Sequence, residues 1–113
     1  MATFSKVKLS ESTNGTAILV AATTTAGTLL HTTTASLDEV WLYAYNNHTS
    51  DVLLTVEFGG ATVPNNIISL TVSYKSGLAL VSPGLLLTGS LAVRAFAATA
   101  NVITISGYVN RIS

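Results

Sequence analysis

Apolar and polar residues alternate with a period of two through nearly the whole chain, and no window sustains the three-and-four spacing of an amphipathic helix. In Asp51 to Phe58, Val52, Leu54, Val56 and Phe58 share one face, opposite Leu53, Thr55 and Glu57. In Ile67 to Tyr74, Ile68, Leu70, Val72 and Tyr74 oppose Ile67, Ser69, Thr71 and Ser73. Near the end, Ile103, Ile105 and Val109 oppose Val102, Thr104, Ser106 and Tyr108. The same pattern predicts strands over Phe4–Leu9, Thr16–Ala22, Thr28–Thr32, Leu37–Asn46, Leu78–Val81 and Leu91–Ala97, eight or nine in all. Val52, Leu54, Val56, Ile68, Leu70, Val72, Ile103 and Ile105 are the expected core.

Between these runs lie Asn14-Gly15, Asn46-Asn47, Gly59-Gly60, Pro64-Asn65-Asn66, Ser76-Gly77, Pro83-Gly84 and Gly89-Ser90, residues suited to turns that need a positive or a fixed φ. Many short strands so punctuated predict an all-β fold, a two-sheet antiparallel β-sandwich of jelly-roll-like form. The expectation is a single domain over residues 1–113, with 1–9 an amino-terminal arm or an edge strand. Leu37 to Gly60 reads as a β-hairpin closed at Asn46-Asn47, and the final VRAFA…VITISGYVN stretch as a second one.

Composition sharpens this picture at one point. Only 9% of the 113 residues are charged, against about 25% in ordinary soluble domains. Thr and Ser, roughly a quarter of the chain, supply much of the remaining polarity. Either this is a Thr-rich β-protein whose hydroxyls suit strand faces, or much of its surface is buried in an oligomer or a larger assembly. There is no cysteine, hence no disulfide or thiolate metal site. No segment has the length and hydropathy of a signal peptide or membrane span, so synthesis in the cytosol is expected.

The candidate chemistry is sparse. Asp38 and Glu39 are adjacent on a strand and point to opposite faces. Asp51 and Glu57 share a face but stand about 20 Å apart along it, beyond the ~5–9.5 Å of glycosidase carboxylate pairs. His31 and His48 are isolated, with no metal-ligand spacing around them. No serine lies in a nucleophile motif, and no glycine loop has the phosphate-binding pattern. Zero net charge with scattered lysines gives no basic stripe for nucleic acid. Catalytic, cofactor-binding and metal-binding residues are accordingly none, and no small-molecule substrate is expected. Trp41, Tyr43 and Tyr45 alternate along one face, with Val40, Leu42 and Ala44 on the other. That aromatic row suits a packed or subunit-contact face, or a platform on which sugars stack.

With SLDEVWLYAYNN in the middle and LAVRAFAATANVITISGYVNRI at the end, the chain resembles small capsid decoration (cement) proteins and related virion proteins of tailed bacteriophages. The resemblance covers nearly the whole chain but no mechanism-bearing motif. It implies a non-enzymatic structural protein on the exterior of the virion capsid, bound to the major capsid protein, commonly as a homotrimer, without nucleic acid, membrane or cofactor. A receptor- or glycan-binding module and a neck or tail component are the alternatives. A free Ala2–Leu9 arm would add a strand to a capsid edge, with Phe4, Lys6 and Lys8 on one face and Val7 and Leu9 on the other. Phe4, Lys6, Lys8, Trp41, Tyr43 and Tyr45 are the expected partner contacts.

Overall fold

The computed structural model describes residues 3–113, and among them there is no helix. Nine strands form: β1 (Phe4–Lys8), β2 (Ile18–Leu19), β3 (Thr28–Thr32), β4 (Leu37–Asn46), β5 (Val52–Phe58), β6 (Ile67–Val72), β7 (Ala79–Leu87), β8 (Ala92–Ala97) and β9 (Ile103–Ile112). Two antiparallel sheets pack face to face as a β-sandwich. The five-stranded sheet has the order β1-β9-β4-β7, with β2 also on β9, and the four-stranded sheet the order β3-β8-β5-β6. Pairing is nested along the chain: β5 with β6, β4 with β7, β3 with β8, and β1 and β2 with β9. Successive pairs fall in alternate sheets, and the β4·β9 and β5·β8 ladders join them.

The alternation in the sequence is the reason for the layering. Val40, Leu42 and Ala44 of β4 and Ile103, Ile105 and Val109 of β9 turn inward from one sheet. Val52, Leu54 and Val56 of β5 meet them from the other, with Val93, Ala95 and Ala97 of β8. Each such Val, Leu or Ile contributes about 1.5–3 kcal/mol by leaving water. Leu9, Val20 and Leu30 close the edges of this cluster.

Four expectations are corrected. Leu37 to Gly60 is not a hairpin, because β4 and β5 belong to different sheets, and β8 and β9 likewise. Asn46, fully buried, makes the first crossing: its amide donates to the Ser50 and Val72 carbonyls at 3.0 and 2.9 Å and accepts from the His48 N–H. Pro83-Gly84 does not end a strand but lies within β7. There the sheet edge does not require the missing proline N–H, and the positive φ of Gly84 (78°) accompanies register shifts against β4. Ile68 and Leu70 are only partly buried, since β6 is the outer strand of its sheet and has a neighbour on one side alone. Finally, Phe4–Lys8 is no free arm but an edge strand paired with β9 from Phe4↔Ile112 to Lys8↔Tyr108, and Leu9 is buried behind it; Ala2 lies outside the described residues.

Candidate functional site

The outer face of the five-stranded sheet collects all six expected contact residues. Register sets them in rungs across the strands. Phe4 stands beside Ile112 and then Leu37; Lys6 beside Asn110, Glu39 and Leu86; Lys8 beside Tyr108, Trp41 and Pro83. Tyr43 lies between Ser106 and Leu80, and Tyr45 beside Thr104. The amino-terminal and aromatic groups, separate in sequence, are therefore one surface. Its centre is ordered by side-chain contacts. The Trp41 and Tyr108 rings are near-parallel, 13° apart in plane with centroids at 6.3 Å. The Lys6 ammonium sits 5.0 Å from the Tyr108 centroid, a cation–π contact. Trp41 lies over Gly84, where a Cβ would come within 2.9 Å of the indole.

Glu39 is held from both sides. Its Oε1 accepts from Asn110 Nδ2 at 3.0 Å and from the Trp41 indole N–H at 2.7 Å. The Asn110 bond, and then that of Trp41, holds the carboxyl below its usual range. A shallow trough of ≈ 400 Å³ runs here, lined by Phe4, Ser5, Lys6, Glu39, Asn110 and Ile112. Tyr108 and Asn110 escape sequence reasoning as site residues. Alternation places Tyr108 on an outer face, but nothing local says that β9 lies between β1 and β4.

Two buried clusters were also illegible. His31, fully buried, faces Asp38 through Nε2 at 2.8 Å, while its Nδ1 accepts the Ser10 backbone N–H at 3.0 Å. Arg111 completes a bidentate pair with Asp38 at 2.8 and 3.0 Å. The Ser10 hydroxyl accepts from Thr32 N–H and makes no bond to the imidazole, so the group is a clamp between the sheets rather than a nucleophile and its base. Glu57 points away from the core of β5 yet is buried, because Thr25 and Gly27 of the β2–β3 loop donate to its carboxylate. It lines a second pocket, of ≈ 200 Å³, with Ala26, Gly59, Gly60, Ala61, Ala92 and Arg94. Among the described residues no three His, Asp or Glu come together as metal ligands would.

The same face changes character along β7, the opposite edge of the sheet from β1. From Ser76 to Val93 the chain carries no charged residue. Within it Leu78, Leu80, Leu85, Leu86 and Leu91 are each 42–62% exposed. Fold and surfaces together define an antiparallel β-sandwich with an ordered aromatic face and a leucine-lined edge. No family model, no curated protein and no solved structure matches the chain.

Proposed function

We propose that this chain is a non-enzymatic structural protein of a tailed-phage particle, a decoration protein that binds the exterior of the capsid and stabilises it. The observation that carries the reading is the leucine-lined edge along β7. Five large apolar side chains in an uncharged stretch form the kind of patch that marks protein contact. Pro83 has no N–H to offer, so this edge docks by side-chain packing rather than by adding a strand. The surface is otherwise poor in charge, because Asp38 and Glu57, two of only ten charged residues, lie inside. The resemblance of SLDEVWLYAYNN and the carboxy-terminal stretch to virion proteins supports the same reading. The nested pairing in alternate sheets supports it as well, since a jelly-roll-like sandwich would need such pairing. The partner is the major capsid protein, with neighbouring copies grouped as a homotrimer.

A protein that binds only the assembled shell stabilises it by its differential affinity. Particles stripped of the chain, or assembled without it, are expected to release their genome at lower temperature. Purified protein should restore resistance and saturate at a fixed number of copies per shell. The pair Leu78→Asp and Leu80→Asp, at exposed positions where folding changes by only about 0.5 kcal/mol, should fold and fail to restore it. Equal release temperatures with and without the chain would refute the proposal.

A further inference from the structure

The trough on the outer sheet face has a chemistry that the leucine edge lacks. Lys6 on β1 and Glu39 on β4 line it from either side of Asn110 on β9, and they form no ion pair with each other. Glu39 spends Oε1 on Trp41 and Asn110, and its Oε2 has no partner among the described residues. An occupant must therefore donate to a fixed carboxylate oxygen on β4 and accept from an ammonium on β1, across β9. An apolar protein surface would cover both charges without giving either a partner. An anion would meet Glu39, and a cation Lys6. Hydroxyl groups satisfy both, since each donates and accepts.

The flanks suit the rest of a sugar ring. Beside the trough, Trp41 packs on Gly84 near-parallel with Tyr108 and holds Glu39 through its indole N–H. Within it, Phe4 and Ile112 form an apolar rung. A pyranose has this division, with C–H groups on its face and hydroxyls around its rim, and small-ligand sites combine apolar walls with a few fixed polar groups in the same way. The polar groups are already positioned, because the Trp41 and Asn110 bonds hold Glu39 before any ligand arrives.

We infer that the trough between β1, β9 and β4 is a saccharide-binding site. Phe4 and Ile112 are its apolar wall, Glu39, Asn110 and Lys6 are the hydroxyl partners, and Trp41 fixes Glu39 from beside the trough. The inference goes beyond the virion reading, for it uses a trough on the β1 side of the sheet face whose other side is the leucine edge along β7. On a particle, it would give the exposed face an adhesive role toward glycans.

Trp41 is the only tryptophan, so its fluorescence reports on the site directly. The full chain would be screened on a printed array of hexose, N-acetylhexosamine and uronic-acid glycans, and each hit titrated by Trp fluorescence. Saturable binding of at least one glycan class is expected. Asn110→Ala and Lys6→Ala should each weaken it about tenfold, the worth of one lost hydrogen bond. Trp41→Ala, which releases Glu39, should abolish the array signal, while Leu53→Thr on the exposed face of the other sheet should leave it unchanged. Circular dichroism of each variant separates lost binding from lost folding. No binding across the array overturns the inference, as does binding that Asn110→Ala and Lys6→Ala leave intact in folded protein. A particle map with capsid protein seated in the trough would also overturn it and give the face to protein docking.

Discussion

Asp38 and Glu39 are neighbours on β4, yet one strand step sends the first into the core and the second to the surface. Burial opposes ionisation of Asp38, but hydrogen bonds from Arg111 and His31 outweigh it and hold its carboxyl below the ordinary 3.8. The same bond raises Arg111 above its usual value. Because the folded state holds the Asp38 proton less tightly than the unfolded chain, its stabilisation is complete above the ordinary aspartate range. It is lost as pH falls through the lower, folded value. The urea midpoint should stay level down to about pH 5 and fall below about pH 4, more gently in Asp38→Asn. An unchanged acid limb in that variant would dismiss the clamp. Asp38→Ala should cost about 3–5 kcal/mol, since it leaves the buried His31 and the half-buried Arg111 without their shared carboxylate. Gly107 gives a second residue-scale expectation. A Cβ there would fall on the Trp41 carbonyl oxygen, which the β4·β9 ladder holds in place. Gly107→Ala should destabilise by about 1–3 kcal/mol or more through overpacking, measured by thermal unfolding.

At the scale of elements, position in a sheet decides what a side chain is worth. Leu54 and Leu70 face each other across β5 and β6, and sequence pattern treats them alike. Leu54 is fully buried on a central strand, whereas Leu70 lies on an edge. Leu54→Ala should cost about 2–5 kcal/mol and Leu70→Ala clearly less; equal losses in denaturant titration would contradict that ranking. Similar logic governs the amino terminus. Deleting residues 2–9 removes the β1·β9 ladder and the Leu9 side chain from the core, so it should lower the unfolding midpoint of the isolated protein. A midpoint equal to that of the full chain would restore the free-arm idea. Strand bounds were legible wherever both faces carry a pattern: Thr28–Thr32 and Leu37–Asn46 form as read. Thr16–Ala22 shrinks to Ile18–Leu19, the two residues in register with Ile105 and Thr104 of β9.

Across the whole molecule, 5798 Å² of surface is left to eight charged residues once Asp38 and Glu57 are placed inside. Self-association on the particle follows from the proposed function, and a particle map should show copies in contact around a local three-fold axis. Isolated, non-touching copies would defeat that expectation. The sequence by itself determined the all-β class, the inward residues of β4, β5 and β9, and the positive-φ turns at Gly15, Gly59, Gly77 and Gly89. These depend on period-two alternation and on single-residue backbone preference, which are local properties. Only the tertiary structure decided which strands are neighbours. It sent β4 and β5 to different sheets, brought Lys6, Tyr108, Asn110, Glu39 and Trp41 onto one face, and closed His31 on Asp38 and Arg111. An alternating strand states which side chains share a face but not which partner will cover it. That choice depends on ladders between residues as far apart as Lys6 and Asn110, whose pairing no local pattern encodes.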